Sequence, residues 1–316
     1  MTAVRPSLEV LATGPLALIQ DLGRPGLASV GVGRSGAADR ASFRLGARLL
    51  AQNDTAAAIE VTFGGLEVRA QGTVMLALTG APAPALVGRF RVAHLSPFVL
   101  HSGDVLRLDV PTAGLRSYLS VRGGIDVPAV LGSRSTDVLS GLGPAPLQAG
   151  DVLAVGPAPA AFPDVDVAPL RPLTNDPIAV RAAWGPRADW LAEPDQLGTT
   201  TWTVSSRSDR VGIRLEGTAL RHHPSRQDQE LPSEGVVRGA VQVPPGGEPV
   251  LFLADHPVTG GYPVAAVVRA AAVPVRPAVA GGSGQGRPVS AMRTDCPGTA
   301  WPRRSTSASR TTAATG

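Results

Sequence analysis

Glycine and proline turns divide this chain into short apolar segments. The 316 residues include 37 glycines and 30 prolines, together about one fifth of the sequence. Glycine and proline favour turns and interrupt long helices. The composition therefore predicts a mainly β protein with many short strands and a few short helices.

The strand candidates in the first half of the chain are short apolar or alternating stretches between turns. They are SLEVLA from Ser7, IEVTFGGLEVRA from Ile59, TVMLALTG from Thr73, DVLRLDV from Asp104, RSYLSVRGG from Arg116 and GDVLAVG from Gly150. Such a series predicts a closed or nearly closed antiparallel sheet. One interruption predicts a helix, AADRASFRLGARLLAQND, with Phe43, Ala47 and Leu50 on one face and Asp39 as N-cap.

The length of the chain favours two domains, each with its own core. A proline-rich stretch, GPAPAAFPDVDVAPLRPLTNDP, has the composition of a semi-rigid linker. We therefore expect a first β domain at 1–156, a linker at 157–176 and a smaller second β domain at 177–269. In the second domain, IAVRAAW, TTWTVSS, GIRLEG, GVVRGAVQVP and PVLFLAD predict strands, and RADWLAEPD predicts a short helix.

The last segment, 270–316, differs from the rest of the chain. It has six arginines, one acid, much Ala, Gly, Pro, Ser and Thr, and no apolar period. Such a segment cannot bury enough apolar surface to offset its ordering entropy, so we expect it to be disordered. The second domain would then lack its closing strand and expose an unpaired sheet edge. An out-of-frame gene end explains this composition, and a genuine evolved tail is the alternative.

The sequence contains no lysine, and all 29 basic residues are arginine. A lysine-dependent phosphate loop, a Schiff base and an attached biotin are therefore excluded. Anions must be bound by arginine, by backbone N–H groups or by hydroxyls. The single cysteine, Cys296, forms no internal disulfide, and none of the five histidines has metal-ligand spacing to another, so we expect no metal site.

The charge and the termini indicate the class of protein. Residues 1–269 carry 23 arginines and 24 acids, a net charge of −1, so we expect no nucleic-acid binding. No apolar run reaches the length of a membrane span, and the N-terminus lacks the pattern of a secretory signal. We expect a cytoplasmic protein that does not contact a membrane.

Polar residues concentrate in five glycine- or proline-containing turns. The turns are QDLGRPG from Gln20, GRSGAAD from Gly33, SSRSDRVG from Ser205, ELPSEG from Glu230 and ADHPVTGGYP from Ala254. Loops at the ends of β domains are common positions for binding and catalysis. These turns are therefore the candidate functional segments.

These segments resemble those of a known family. QDLGRPG…GVGRSGAAD, IEVTFGG, LTGA, YLSVRGGIDVPAVLGSRSTD, SRSDRVGIRLEG and ELPSEGVVRGAVQVPPGGEPVLFLADHPVTGGYP are similar, in the same order, to segments of the biotin-dependent carboxyltransferase family. That family includes the C-type subunits of 5-oxoprolinase, allophanate hydrolase subunit 2 and the KipA proteins. The resemblance covers about residues 7–269. Arg34 and Ala38 depart from the usual pattern in one turn, and His256, Pro257 and Val258 depart from it in another. Since Val258 replaces a threonine, the resemblance leaves Thr259 as the hydroxyl ligand.

The resemblance implies two cyclophilin-like β-barrel domains and partner subunits. For a 5-oxoprolinase, the partners of the C-type subunit are a KipI-like protein of the B type and a lactamase-like protein of the A type. Such a complex uses ATP, with Mg, to open 5-oxoproline to glutamate. One alternative is a carboxyltransferase acting on urea or a related amide, with biotin carried by another polypeptide. A second is a non-catalytic KipA-like regulatory protein.

Both reactions require a carboxylate that manages a proton and donors that hold an anion. The turns predict Asp21, Glu234 and Asp255 as catalytic residues. The predicted substrate-binding residues are Arg24, Ser35, Arg207, Arg210, Ser233, Gln242, Thr259, Gly260, Gly261 and Tyr262. The alternative for the charged residues is that their ion pairs only hold the turns together. Tyr262 has core packing as its alternative role.

Overall fold

The computed structural model describes residues 5–170, 173, 176–226 and 229–269, and the backbone of two short strands at 288–289 and 293–294. Within these residues, strands dominate and only two segments are α-helical, α1 at Arg40–Leu49 and α2 at Gln196–Thr199. Three single-turn 3-10 helices lie at Ala28–Val30, Ala188–Trp190 and Pro224–Arg226. The predicted mainly β fold is confirmed.

Eleven strands form the first domain in two antiparallel sheets. Their bounds are β1 Ser7–Thr13, β2 Leu16–Gln20, β3 Ala58–Thr62, β4 Leu66–Gln71, β5 Val74–Gly80, β6 Ala85–Val87, β7 Phe90–Val92, β8 Pro97–Leu100, β9 Val105–Leu108, β10 Arg116–Val121 and β11 Val152–Ala154. One sheet has the order β11-β1-β4-β9-β6-β7 and the other β2-β3-β10-β5-β8. Inward-facing residues of both sheets, such as Leu66, Val68 and Leu119, share one core.

Helix α1 covers the outer face of the second sheet. Asp39 caps it by accepting hydrogen bonds from the backbone N–H groups of Ala41 and Ser42, both at 3.0 Å. On its buried face, Phe43 packs edge-on against Tyr118 of β10, with ring centroids 6.1 Å apart. The predicted helix and its cap are therefore confirmed, and β10 is buried on both faces.

The segment after β11 follows the first domain as far as residue 170, without helix or strand. Arg122 donates a hydrogen bond to the carbonyl of Pro159 at 2.7 Å, and the backbone N–H of Ala168 donates to Leu95 at 2.9 Å. The part of the predicted linker that is described thus lies against the first domain.

The remaining strands belong to the second domain. They are β12 Arg181–Trp184, β13 Trp202–Val204, β14 Gly212–Glu216, β15 Glu234–Gly235, β16 Ala240–Gln242, β17 Val250–Phe252, β18 Thr259–Gly260, β19 Val264–Val268, β20 Pro288–Val289 and β21 Arg293–Thr294. Eight of them form a sheet in the order β20-β13-β14-β17-β16-β19-β12-β21, and β15 pairs with β18. Trp202, Leu197 and Val241 lie at the centre of a separate core.

Strands β20 and β21 belong to the segment whose composition predicts disorder. In the described backbone they pair with β13 and β12, which would otherwise be the edge strands of the sheet, whereas the sequence predicts an unpaired edge. The rest of 270–316 lies outside the described residues, so its disorder stays a prediction. In the described ranges, no helix combines the length and apolar character that a membrane crossing requires.

Candidate functional site at the domain junction

The carboxylate of Asp21 joins the loop after β2 to the loop after β10. Its Oδ1 accepts hydrogen bonds from the hydroxyls of Ser133 and Ser135, both at 2.6 Å. Its Oδ2 accepts from the backbone N–H of Arg134 at 2.6 Å. Asp21 is buried. These contacts give Asp21 a positioning role, and its catalytic role stays a prediction.

Arg24 is enclosed in the same pair of loops. Only 1% of the residue is exposed, and its guanidinium donates to the carbonyl oxygens of Ser135 at 2.5 Å and Val130 at 3.4 Å. The side chain therefore fixes the loop from inside. The substrate-binding role predicted for Arg24 stays a prediction, and it requires this loop to open.

A tight turn brings Ser35 to the second domain. Gly23 has φ +80°, and a Cβ there would lie 2.3 Å from the carbonyl oxygen of Arg34, so only glycine fits. Ser35 itself has φ 52° and is fully buried. Its hydroxyl donates to Oδ1 of Asp255 at 2.6 Å. A strained, buried polar residue at a domain junction is a feature typical of functional sites.

Glu60 is a buried carboxylate in the middle of strand β3. It stands opposite Tyr118 in the register of β3 and β10 and accepts the tyrosine O–H at 2.8 Å. It also accepts the backbone N–H of Ala38 at 2.9 Å and lies 3.4 Å from the guanidinium of Arg116. The first domain thus presents a carboxylate to the junction with a cation already beside it.

Arg210 and Asp255 meet this carboxylate from the second domain. Nε and Nη2 of Arg210 donate to the two oxygens of Asp255 at 2.8 and 2.9 Å. Nη2 also donates to the carbonyl of Gly36 at 2.8 Å, and Nη1 donates to Glu60. Since Arg210 is 1% exposed, its guanidinium bridges the two domains inside the protein. Asp255 also accepts the backbone N–H of Val138, at 3.1 Å.

The charges of Glu60 and Arg210 stabilise each other. Burial opposes ionisation of Glu60, but Arg210 and Arg116, together with the hydrogen bonds from Ala38 and Tyr118, outweigh burial and hold the pKa of Glu60 below its ordinary value. Burial likewise opposes the charge of Arg210, but Glu60 and Asp255 outweigh it and raise the pKa of Arg210. Burial, and then the charge of Glu60, raise the pKa of Tyr118 well above its usual value. At neutral pH Glu60 and Arg210 are therefore charged, and Tyr118 keeps the proton that it donates.

A second group of predicted residues lies around the short β15–β18 pair. Glu234 stands opposite Gly260, and Gly235 stands opposite Thr259. The Glu234 carboxylate forms a two-pronged ion pair with Arg187, which lowers the pKa of Glu234. Both side chains are partly exposed, so the pair is open to solvent.

The Gly-Gly-Tyr-Pro turn continues this second group. Gln242 is buried and donates to the carbonyl of Tyr262 at 2.9 Å, and a Cβ on Gly260 would lie 2.6 Å from its amide nitrogen. Gly261 and Tyr262 line a cavity of about 290 Å³ together with Trp190. Tyr262 is 48% exposed, so the core-packing alternative for this tyrosine is wrong. Ser233, predicted with this group, is exposed next to Glu234.

Arg207 lies apart from both groups. Its guanidinium contacts the carboxylates of Glu248 at 3.0 Å and Glu216 at 3.9 Å, on an exposed surface. Arg207 and Arg210 therefore point to different environments although only two residues separate them. The sequence predicts that at least one of them holds an anionic substrate. For Arg210 both neighbouring carboxylates already use the guanidinium, and for Arg207 the role stays a prediction.

Sequence reasoning missed Glu60, Arg116 and Tyr118, which form the first domain's side of the junction. One signal was present: Glu60 interrupts an otherwise apolar strand, AIEVT, in which four of five residues are buried. A charged residue on a buried strand is rarely found without a partner. Its partner Arg210 is 150 positions away, and nothing local indicates that pairing.

The described residues offer no ready site for a metal ion. No three of the described His, Cys, Asp and Glu side chains converge as ligands. The sequence has no lysine for a phosphate loop or for attached biotin. A biotin would therefore have to be carried by another polypeptide.

Comparison with known proteins places this architecture in a family. The model of the carboxyltransferase domain, subdomain A and B, matches residues 30–279. The C-type subunit of the 5-oxoprolinase of Escherichia coli (strain K12) is 35% identical over 269 residues, which cover 83% of this chain and 85% of that protein.

Solved structures agree with this assignment. The crystal structure of TTHA0988 has a TM-score of 0.76 and 32% identity, over 85% of this chain and 53% of that one. The chain thus spans about half the length of TTHA0988. The K. lactis urea amidolyase has a TM-score of 0.79 and 32% identity, over 85% of this chain and 18% of that protein. The chain belongs to the carboxyltransferase-domain family that contains these proteins.

Proposed function

We propose that this chain is the C-type subunit of a 5-oxoprolinase, a complex that opens 5-oxoproline to glutamate with ATP. The observation that carries the proposal is the extent of the match to the Escherichia coli protein, of which 85% is covered. The match to the K. lactis urea amidolyase covers only 18% of a much longer chain. The proposed partners are a KipI-like protein of the B type and a lactamase-like protein of the A type, and the proposed compartment is the cytoplasm.

The junction supplies rigidity for such a reaction. Arg210 holds Asp255 through two hydrogen bonds, and Asp255 in turn holds Ser35 of the first domain. We propose that this arrangement fixes the two domains at the spacing that the lactam requires, because a preorganised site lowers the barrier. ATP, with Mg, is proposed to bind in the complex and not to this chain alone.

We propose that the substrate contacts exposed hydroxyl groups and a neighbouring imidazole. Within the described residues, the hydroxyls of Tyr262 and Thr259 have no hydrogen-bond partner, and both residues are exposed. His256 lies three positions before Thr259, and burial lowers the pKa of its imidazole, which favours the neutral ring at pH 7. A neutral imidazole can accept a proton from an attacking water.

The test is reconstitution. The full chain is combined with A- and B-type 5-oxoprolinase subunits, and glutamate and ADP are measured with 5-oxoproline as substrate. We expect both products only when all three proteins are present. Turnover that does not rise above that of the two partners alone contradicts the proposal.

One variant pair separates a role in catalysis from a role in assembly. We expect Tyr262→Phe, which removes only the exposed hydroxyl, to lower kcat about tenfold or more with the complex intact. Phe90→Leu, at an exposed site in β7 of the first domain, is the matched control and should leave kcat unchanged. Equal kcat values for the two variants contradict a substrate contact by Tyr262.

The alternative is carboxyl transfer to urea or a related amide, which the likeness to the K. lactis urea amidolyase supports. Since the chain has no lysine, the biotin has to be carried by another polypeptide. Turnover that requires bicarbonate and a biotinylated partner, and that stops when avidin is added, selects this alternative. Turnover that is insensitive to avidin selects the 5-oxoprolinase.

A further inference from the structure

Three arginine side chains at the mouth of the domain junction have no carboxylate partner. They are Arg34 in the loop before α1, Arg40 at the first position of α1 and Arg238 between β15 and β16. Within the described part of the chain, no Asp or Glu oxygen lies within ion-pair distance of any of the three. The cluster is formed by both domains, since Arg238 donates to the carbonyl oxygen of Ala38 in the first domain.

Arg40 shows most clearly that the charges are uncompensated. Its Nε is inaccessible to solvent and has no hydrogen-bond partner among the described residues. Burial, followed by repulsion from Arg238, Arg34 and Arg44, lowers the pKa of Arg40 to about 10. Burial also lowers the pKa of Arg238. Buried donors of this kind normally have a partner, and an unsatisfied one requires an explanation.

The cations of the buried network differ from this cluster in their partners. Arg210 and Arg116 face Glu60, and Arg210 also faces Asp255, so each buried cation there has a carboxylate. The junction therefore contains one set of cations in contact with carboxylates and one set without such a contact, although the charges of Asp39 and Glu60, beyond ion-pair distance, favour the charged form of Arg238. The two differ in access, because Arg34 is exposed whereas Arg210 is buried.

The imidazole of His256 lies at the edge of the positive set. Repulsion from Arg238 contributes, after burial, to the lowered pKa of His256. Its Nδ1 faces the carbonyl oxygen of Pro257 at 2.7 Å, which leaves Nε2 for another partner. The carbonyl oxygen of His256 lies 3.4 Å from the Cβ position of Gly33, next to Arg34. The candidate histidine and the arginine cluster thus share one place in the fold.

We propose that Arg34, Arg40 and Arg238 bind an oxyanion, either the carboxylate of the substrate or a transferred phosphoryl group, between the two domains. Guanidinium groups pair with carboxylates and phosphates through two parallel hydrogen bonds. The bound anion would supply the partner that Nε of Arg40 lacks and would offset the repulsion among the three cations. Naming the substrate carboxylate as one source rests on the proposed function, whereas oxyanion binding itself does not.

The test measures binding to the full chain without its partners. Isothermal titration calorimetry at constant ionic strength is run with 5-oxoproline, with its neutral carboxamide and with inorganic phosphate. Binding of 5-oxoproline but not of the carboxamide identifies the substrate carboxylate, and binding of phosphate identifies a phosphoryl site. Failure of both anions to bind at concentrations up to about 10 mM overturns the proposal.

Matched variants locate the binding site. We expect Arg40→Gln and Arg238→Gln each to weaken anion binding at least tenfold. Arg107→Gln, in β9 of the first domain, is the control, because Arg107 already pairs with Asp109 at 3.1 Å on an exposed surface, and it should bind as wild type. Wild-type binding by Arg40→Gln and Arg238→Gln places the anion elsewhere and overturns the assignment.

A second readout is the Tm of the isolated chain, measured without and with the anion. Because Arg40 is repelled by its neighbours, Arg40→Gln should leave the Tm unchanged or raise it when no anion is present, and should abolish the rise in Tm that the anion produces in the wild type. A large loss of Tm for Arg40→Gln would show that its charge is compensated, contrary to the proposal. An inactive reconstituted complex whose isolated chain still binds phosphate contradicts the proposed function but not this inference.

Discussion

Replacing Arg210 by methionine tests whether the buried network holds the two domains together. Methionine keeps a long unbranched side chain but removes the guanidinium. Four hydrogen bonds are lost: two to Asp255, one to Glu60 and one to the carbonyl of Gly36. The variant therefore leaves two buried carboxylates without the cation they share.

The size of the effect follows from what remains around those carboxylates. Removing one partner of a buried ion pair costs about 3 to 5 kcal/mol. Glu60 still faces Arg116, and Asp255 still accepts from Ser35 and Val138, so we do not expect this cost twice. For a protein of this size, 1 kcal/mol corresponds to about 2 to 4 °C, and we expect the Tm to fall by roughly 6 to 20 °C.

The assay is urea denaturation at pH 7.5 with two signals. Three tryptophans, Trp184, Trp190 and Trp202, lie in the second domain, so their fluorescence reports on that domain. Far-UV circular dichroism reports on both domains. We expect the two signals to coincide for the wild type and to separate for Arg210→Met, since the variant uncouples the domains.

Arg207→Met is the matched control. This arginine is also paired with carboxylates, but its side chain is 59% exposed, and exposed pairs contribute about 0 to 1 kcal/mol. A loss below about 1 kcal/mol for Arg210→Met, or a loss equal to that of Arg207→Met, would refute the structural role of the network.

Three further predictions concern the same junction. Gly23→Ala should lower the free energy of unfolding more than Gly31→Ala. Both glycines have positive φ, but only at Gly23 would a Cβ meet a backbone oxygen. Equal losses of stability in urea titrations contradict this prediction. Tyr118→Phe should lower the free energy of unfolding by about 1 to 3 kcal/mol, because the hydroxyl donates to Glu60 and accepts from the backbone N–H of Asp39. A loss below about 0.5 kcal/mol in a urea titration contradicts this prediction. Because the fold depresses the pKa of Glu60, its stabilisation is present above the ordinary value of 4.5 and is lost as the pH falls through the lower folded value. The Tm difference between wild type and Glu60→Gln should thus narrow from pH 7 towards pH 3, and a constant difference contradicts the assigned ionisation.

The fold could be predicted where a strand or helix is long enough to show its apolar period. Strand β4 alternates buried Leu66, Val68 and Ala70 with more exposed residues, and α1 has a capping Asp39 ahead of its apolar face. Strands β6 and β7 have only three residues each, so their period cannot be recognised. They form a hairpin with each other, and β6 joins the sheet by pairing with β9, which follows both in sequence.

The sequence indicated some residues of the junction but not their arrangement, and it did not indicate Glu60, Arg116 or Tyr118. The polar turns contain Ser35, Arg210 and Asp255, and the structure brings these three residues into contact. The sequence contains no information on which turns meet, so Glu234 and Tyr262 were placed with them although they lie around a different pair of strands. Long-range ion pairs are decided by tertiary packing, and local patterns do not encode them.

The two domains bring matched pairs to their junction: Glu60 with Arg116 on one side, and Arg210 with Asp255 on the other. Glu60 and Asp255 therefore each have a cation within their own domain, and Glu60 also has Arg210 across the junction. A gene cut between the two domains would encode two pieces, and in each piece the carboxylate of the pair would keep its own cation. Joining or separating the two domains changes the connectivity of the chain and does not change the charge balance of these pairs.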